Sequence, residues 1–215
     1  MPQTSSVVFV IDDDISIRES LELLIQNEGL CVETFISAQQ FLDRSREFVP
    51  SCLVLDLSLP GLNGLELQKR IAVERPDMPI IFITGCGDVP STVRAMKAGA
   101  VEFLTKPISN EALLRAVRGS LERSKALVGR SEELQRLRTR YDRLTSRERE
   151  VMAFVVAGLS NKQVASELDI SEVTVKAHRG SMMRKMEADS LAELVTFATR
   201  LRLPRPKALN PPIGR

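Results

Sequence analysis

The sequence predicts a doubly wound α/β domain of five parallel strands followed by a small all-α domain. Three observations carry this. Short apolar runs alternate with helical periods up to about residue 122, strand patterns then stop, and the net charge changes sign at the same place. Residues 1–122 carry 11 Lys and Arg against 17 Asp and Glu, a net of −6, whereas residues 123–215 carry 19 against 11, a net of +8. An acidic half joined to a basic half points to two domains, the basic one suited to a polyanion.

In chain order, VVFVI (7–11), CLVLDL (52–57) and PIIFIT (79–84) are continuous apolar runs rich in β-branched residues. Such runs suit strands buried on both faces of a parallel sheet. LCVETF (30–35) and VEFLT (101–105) are weaker strands. Helical periods fall between them at 15–28, 38–46, 64–74, 90–98 and 110–124. Ile17, Leu21, Leu24, Ile25 and Glu28 follow the 3,4 spacing of one buried stripe. Gly29, Gly99 and the Pro76/Pro79 pair stand where helices should stop. Function in such sheets sits at the carboxyl ends of the strands.

The second half begins with a polar helix over 121–144, with an apolar seam at Leu134, Leu137, Tyr141 and Leu144 spaced like a short coiled coil. Gly129 leaves open one bent helix or two. Four helical patterns follow at 146–157, 161–168, 172–186 and 190–202, then a proline-rich tail expected to be disordered. The predicted organisation is an α/β domain over 1–122, a helical linker over 123–141, an all-α domain over 142–203 and a tail over 204–215.

Composition excludes several classes. With 43% apolar and 27% charged residues, the chain is neither wholly disordered nor collagen-like. No apolar run approaches the roughly 18 residues of a membrane helix, and the N-terminus lacks the basic region of a signal peptide. Cys31, Cys52 and Cys86 are odd in number and lack metal-ligand spacing. They are expected to be buried, reduced core thiols of a cytoplasmic protein.

Asp12, Asp13 and Asp14 follow the first strand, Asp56 ends the third, Thr84 ends the fourth and Lys106 follows the fifth. Strand ends of this fold converge on one crevice, where clustered carboxylates repel one another and a hard cation such as Mg²⁺ relieves the repulsion. A carboxylate there can act as nucleophile toward a phosphoryl group, with the lysine and threonine holding its oxygens. Asp14 also suits the N-cap of the first helix.

These residues carry a resemblance. FVIDDD, LVLDLSLPGLNGLEL, FITGCGD and VEFLTKP resemble the receiver domain of two-component response regulators in order, spacing and residue type across 5–122. The resemblance implies a flavodoxin-like fold in which Asp56 accepts a phosphoryl group from a sensor histidine kinase. It implies Mg²⁺ near Asp12 and Asp13, with Asp13, Asp56 and the Ser58 carbonyl as direct ligands. Thr84 and Lys106 would contact phosphoryl oxygens, Phe103 would turn inward when Thr84 moves, and the Lys106–Pro107 bond would be cis. Ser58 replaces a longer side chain common in the family, and Cys86 stands where close relatives often have histidine.

The segment LTSREREVMAFVVAGLSNKQVASELDISEVTVKAHRGSMMRKM resembles the helix-turn-helix domain of the FixJ/NarL (LuxR-type) regulators, and the receiver motifs point to the FixJ branch. Gly158 ends one helix, Ser160 or Asn161 caps the next, and Asp169-Ile170-Ser171 forms the turn. Val173, Val175, Met182, Met183 and Met186 are the apolar core candidates of the following helix. In a helix-turn-helix the second helix enters the major groove. The resemblance points to Lys176, Ala177 and Gly180 as groove-facing residues, with Asn161, Lys162, Thr174 and Arg179 as phosphate-contact candidates. His178, the one histidine, is read as structural.

The expected function is therefore that of a response regulator rather than an enzyme. In the resting state the acidic half restrains the basic half. Phosphorylated on Asp56, the protein forms a homodimer through 89–105, binds promoter DNA and, by resemblance, activates transcription with RNA polymerase. Three rivals use the same residues. One is a regulator dimerised constitutively through 121–144, another a Mg²⁺-dependent phosphohydrolase, and the third an adaptor that binds no DNA.

Overall fold

The structure, a computed structural model, describes residues 6–45, 47–85, 89–204 and 206. Expectations for Cys86 and for most of the tail lie outside these residues. Two compact units part at Gly129, within the segment expected to be a linker.

The first unit holds strands β1 (Val7–Ile11), β2 (Cys31–Phe35), β3 (Ser51–Asp56), β4 (Ile80–Thr84) and β5 (Glu102–Thr105). All pairings are parallel and the order is β2-β1-β3-β4-β5, the flavodoxin-like arrangement. Helices α1 (Ile15–Asn27), α2 (Ala38–Leu42), α3 (Gly64–Glu74) and α4 (Val89–Lys97) connect the strands, and α5 (Asn110–Asp142) follows β5.

The strand period of two divides the core. Phe9, Ile11, Leu53, Leu55 and Phe82 pack with Phe41, Leu67, Ile71 and Ala95 of α2, α3 and α4. Val8, Val10, Val54, Ile81 and Ile83 face the other way, onto Leu21 and Ile25 of α1 and Leu113, Val117 and Leu121 of α5. Of the expected α1 stripe, Ile17 and Leu24 join that second cluster, while Glu28 pairs with Arg118 at the surface. Cys52 is buried in the same layer, which pushes its thiol up to about 12. Cys31 departs from expectation: as the first residue of edge strand β2 it is exposed.

Helix α5 is one continuous helix of 33 residues, and Gly129 does not interrupt it. Ser124 ties it to the sheet: its Oγ donates to Asp77 O (2.6 Å) and accepts from Ser51 N (2.9 Å). The expected coiled-coil seam is corrected. Leu137 and Leu144 are buried in the second unit's own core and Tyr141 packs on it, so only Leu134 is left exposed. The spacing is the same for a seam and for a helix packing onto its own domain.

The second unit adds α6 (Ser146–Val156), α7 (Asn161–Leu168), α8 (Glu172–Met186) and α9 (Leu191–Arg200). Gly158 ends α6 with φ +94°, a conformation that suits glycine. Ser160 caps α7 in a capping box with Gln163, and Ser171 caps α8. Val151, Met152, Val155, Val164, Val175, Met182 and Met186 meet in the core.

Glu148 joins the elements of this unit. Buried at the start of α6, it completes a capping box with Thr145 and accepts from Ser181 Oγ (2.6 Å) and Lys185 Nζ (2.7 Å) of α8. Burial alone would raise its pKa, yet these hydrogen bonds outweigh it and hold the carboxyl at about 2 against an ordinary 4.5. A lowered pKa stabilises the fold above the unfolded value, and that stabilisation is lost as pH falls from about 4.5 toward 2. Glu148→Gln is therefore expected to melt below wild type at pH 6, with the gap narrowing at pH 3. Thermal melts at the two pH values check this, and a constant gap would contradict it.

Candidate acidic site and nucleic-acid interface

Register brings the acidic site together. Ile11 pairs with Leu55, so Asp12 and Asp56 emerge side by side one residue later. Asp56 pairs with Ile83 and Thr84 with Thr105, which places Thr84 and Lys106 on the same carboxyl edge. Asp12, Asp56 and Thr84 are buried, Asp13 and Ser58 are exposed, and Lys106 is half-buried.

Lys106 Nζ is the central cation. It donates to Asp12 Oδ2 at 2.7 Å and lies 3.2 Å from Asp56 Oδ1. Burial opposes its charge, but the hydrogen bond to Asp12 and the charges of Asp56 and Asp12 outweigh burial and raise its pKa. Asp56 is raised too, first by burial and then by Asp12, against the pull of Lys106. Ser58 N donates to Asp56 Oδ2 (3.2 Å), and Asp14 N to Asp12 Oδ1 (2.9 Å). Asp14 caps α1 by accepting from Ser16 N (2.8 Å). Phe103 is half-buried beside Phe82, with ring centroids 6.4 Å apart, and the Lys106–Pro107 bond is cis.

The carboxylates suit a divalent cation. Asp12, Asp13 and Asp56 each offer an oxygen, all within 4.8 Å of one another. Asp56 Oδ1 is buried and, despite the nearby ammonium, has no hydrogen-bond partner. An oxygen-only donor set that includes a buried carboxylate oxygen without a hydrogen bond is the chemistry Mg²⁺ takes.

Sequence reasoning missed two residues here. Arg18 Nη1 donates to Asp12 O (2.7 Å), holding the β1–α1 turn. Gly64 opens α3 directly against β3, where an added Cβ would lie 2.7 Å from Asp56 O and 3.0 Å from Phe82 Cε1. A glycine just after an Asn N-cap was the available signal.

In the second unit α7, the turn and α8 form the expected helix-turn-helix. Asp169 closes α7 in the left-handed conformation. Lys176, Ala177 and Gly180 are exposed on α8, and Lys162 is exposed on α7. Asn161 Oδ1 accepts from Arg179 Nη1 (3.1 Å), so two phosphate-contact candidates meet each other. Thr174 bonds the Ser171 cap (2.8 Å). One expectation fails: Val173 is 76% exposed rather than core, because two residues carry it to the side of α8 opposite the buried Val175.

Fold and sites together define a receiver-type α/β domain carried with a helix-turn-helix unit. Residues 8–118 match the response regulator receiver domain family, and residues 142–198 match the luxR family of bacterial regulatory proteins. Nodulation protein W of Bradyrhizobium diazoefficiens is 48% identical over 198 residues, covering 92% of this chain and 87% of the relative. Transcriptional regulatory protein FixJ of Azorhizobium caulinodans is 45% identical over 199 residues, covering 92% and 93%. Among solved structures, the response regulator StyR is similar with a TM-score of 0.83 and 45% identity over 91% of this chain and 99% of that one. The chain belongs to the two-component response regulators that carry a luxR-family DNA-binding domain, with FixJ and nodulation protein W as close homologues. Phosphorylation-dependent regulation of transcription is the function of that family, which is not one of classical enzymes. Among the described residues, no helix is long and apolar enough to cross a membrane.

Proposed function

We propose that Asp56 is the phosphoacceptor for a sensor histidine kinase and that its phosphorylation drives dimerisation and promoter binding. The observation that carries this is Lys106 Nζ standing between Asp12 and Asp56 at the sheet's carboxyl edge. The Asp56 carboxylate attacks phosphorus; the P–N bond of the phosphohistidine breaks and its electron pair stays on the imidazole. Asp12, Asp13, Asp56 and the Ser58 carbonyl would hold Mg²⁺, which when bound neutralises charge on the phosphoryl oxygens. Lys106 and Thr84 bind those oxygens, drawing Thr84 inward and letting Phe103 follow.

Dimerisation uses the face spanning 89–105, where Val89, Val93 and Met96 are exposed. The paired helix-turn-helix units then meet two half-sites. Lys176, Ala177 and Gly180 face the groove, while Asn161, Lys162, Thr174 and Arg179 hold phosphates. A cytoplasmic protein acting on RNA polymerase as an activator completes the proposal. Constitutive dimerisation through 121–144 is disfavoured because Leu137, Tyr141 and Leu144 are occupied in the second unit's core.

Sedimentation velocity with Mg²⁺ and beryllofluoride, an aspartyl-phosphate mimic, tests the switch. Wild type is expected to shift from monomer to dimer and Asp56→Ala to remain monomeric. Two dimers throughout would overturn the dimerisation step.

A further inference from the structure

Helix α8 presents more to the groove than its polar residues. Val173, Lys176, Ala177, Gly180 and Arg184 are all exposed and fall at spacings of 3, 4, 7 and 11 from Val173, which is one face of a helix. Val175, Met182 and Met186 occupy the opposite, buried face. Val173 is the most exposed large apolar residue of its unit among the described residues. It lies in the first turn of α8, the part of a recognition helix that reaches base edges.

From this placement we infer that Val173, with Ala177, reads the C5-methyl group of thymine. Val173 and Ala177 are i,i+4 neighbours and make an apolar patch beside Lys176. Thymine alone among the four bases shows an apolar group in the major groove. No side chain at Gly180 stands between the helix and the DNA, and nothing lies within 4 Å of where its Cβ would be, so the backbone can come close. The stiff χ1 of valine limits the ordering needed on contact. Ala177 and Gly180 offer no side-chain hydrogen bonds, so methyl recognition adds discrimination to what Lys176 and Arg184 supply on this face.

The inference rests on the proposed DNA-binding role of α8. Its test is selection from a randomised duplex library by full-length wild type with Mg²⁺ and beryllofluoride, followed by binding to the enriched duplex with single dT→dU replacements. One thymine in each half-site is expected to lose about fourfold in affinity when its methyl is removed, the equivalent of one buried methyl group. Val173→Ser is expected to lose a similar factor on the dT duplex and to be indifferent to dU there, while melting like wild type. If every dU duplex binds wild type unchanged, or if Val173→Ser keeps the full dT preference, the inference is overturned although DNA binding stands. If wild type enriches no sequence, the DNA-binding reading fails and the inference fails with it.

Discussion

Asp56→Asn is expected to abolish phosphoryl incorporation from acetyl phosphate and Mg²⁺, while wild type becomes labelled in an acid-stable, base-labile form. The amide is nearly isosteric with the carboxylate, so the fold should hold. What it lacks is the negative oxygen that attacks phosphorus, and the exposed carboxylate of Asp13 would be engaged by Mg²⁺ instead. Asp12 is held by Lys106 Nζ and Asp14 N, and Thr84 is buried. Lys106 is already protonated and cannot attack, since its pKa is raised by Asp12 and Asp56 against the effect of burial. Phosphate-affinity gel electrophoresis checks this, and equal labelling of the variant would move the phosphoacceptor elsewhere.

Gly64→Ala is expected to destabilise the first unit by about 3 kcal/mol, the upper end for overpacking. The added Cβ meets backbone, Asp56 O at 2.7 Å and Leu57 Cα at 3.1 Å, which cannot rotate away. Relief requires α3 and the end of β3 to move apart, which displaces Asp56, the last residue of β3, so labelling by acetyl phosphate is expected to fall as well. Gly119→Ala supplies the contrast. It lies within α5 with nothing within 4 Å of the added atom, so it is expected to stabilise by about 0.5–1 kcal/mol through helix propensity. Urea unfolding separates the two, and changes of the same sign would contradict the packing account.

The acidic site was legible because each of its residues closes or follows an apolar run, and strand ends of a parallel sheet meet. Asp12, Asp56, Thr84 and Lys106 needed only that rule. Gly64 was not legible: a string of letters carries no measure of how closely α3 approaches β3. The 3,4,3 spacing of Leu134, Leu137, Tyr141 and Leu144 marks an apolar stripe and resembles a coiled-coil seam, yet periodicity names a face and not its partner. Val173 was assigned to the core on hydrophobicity alone, whereas its angular position on α8 places it beside Lys176 and Ala177. The Thr145–Glu148 capping box is visible as a local pattern. Its union with Ser181 and Lys185, 33 and 37 residues away, depends on the packing of α6 on α8.

The central claim is that chemistry at Asp56 controls DNA binding by the second unit. Its most direct test is the affinity of full-length protein for an enriched duplex, with and without phosphorylation by acetyl phosphate, in wild type and Asp56→Asn. Wild type is expected to bind at least about tenfold more tightly once phosphorylated, within the usual range of coupling between two sites, and Asp56→Asn to bind equally weakly in both conditions. Equal affinity of phosphorylated and unphosphorylated wild type would contradict the account.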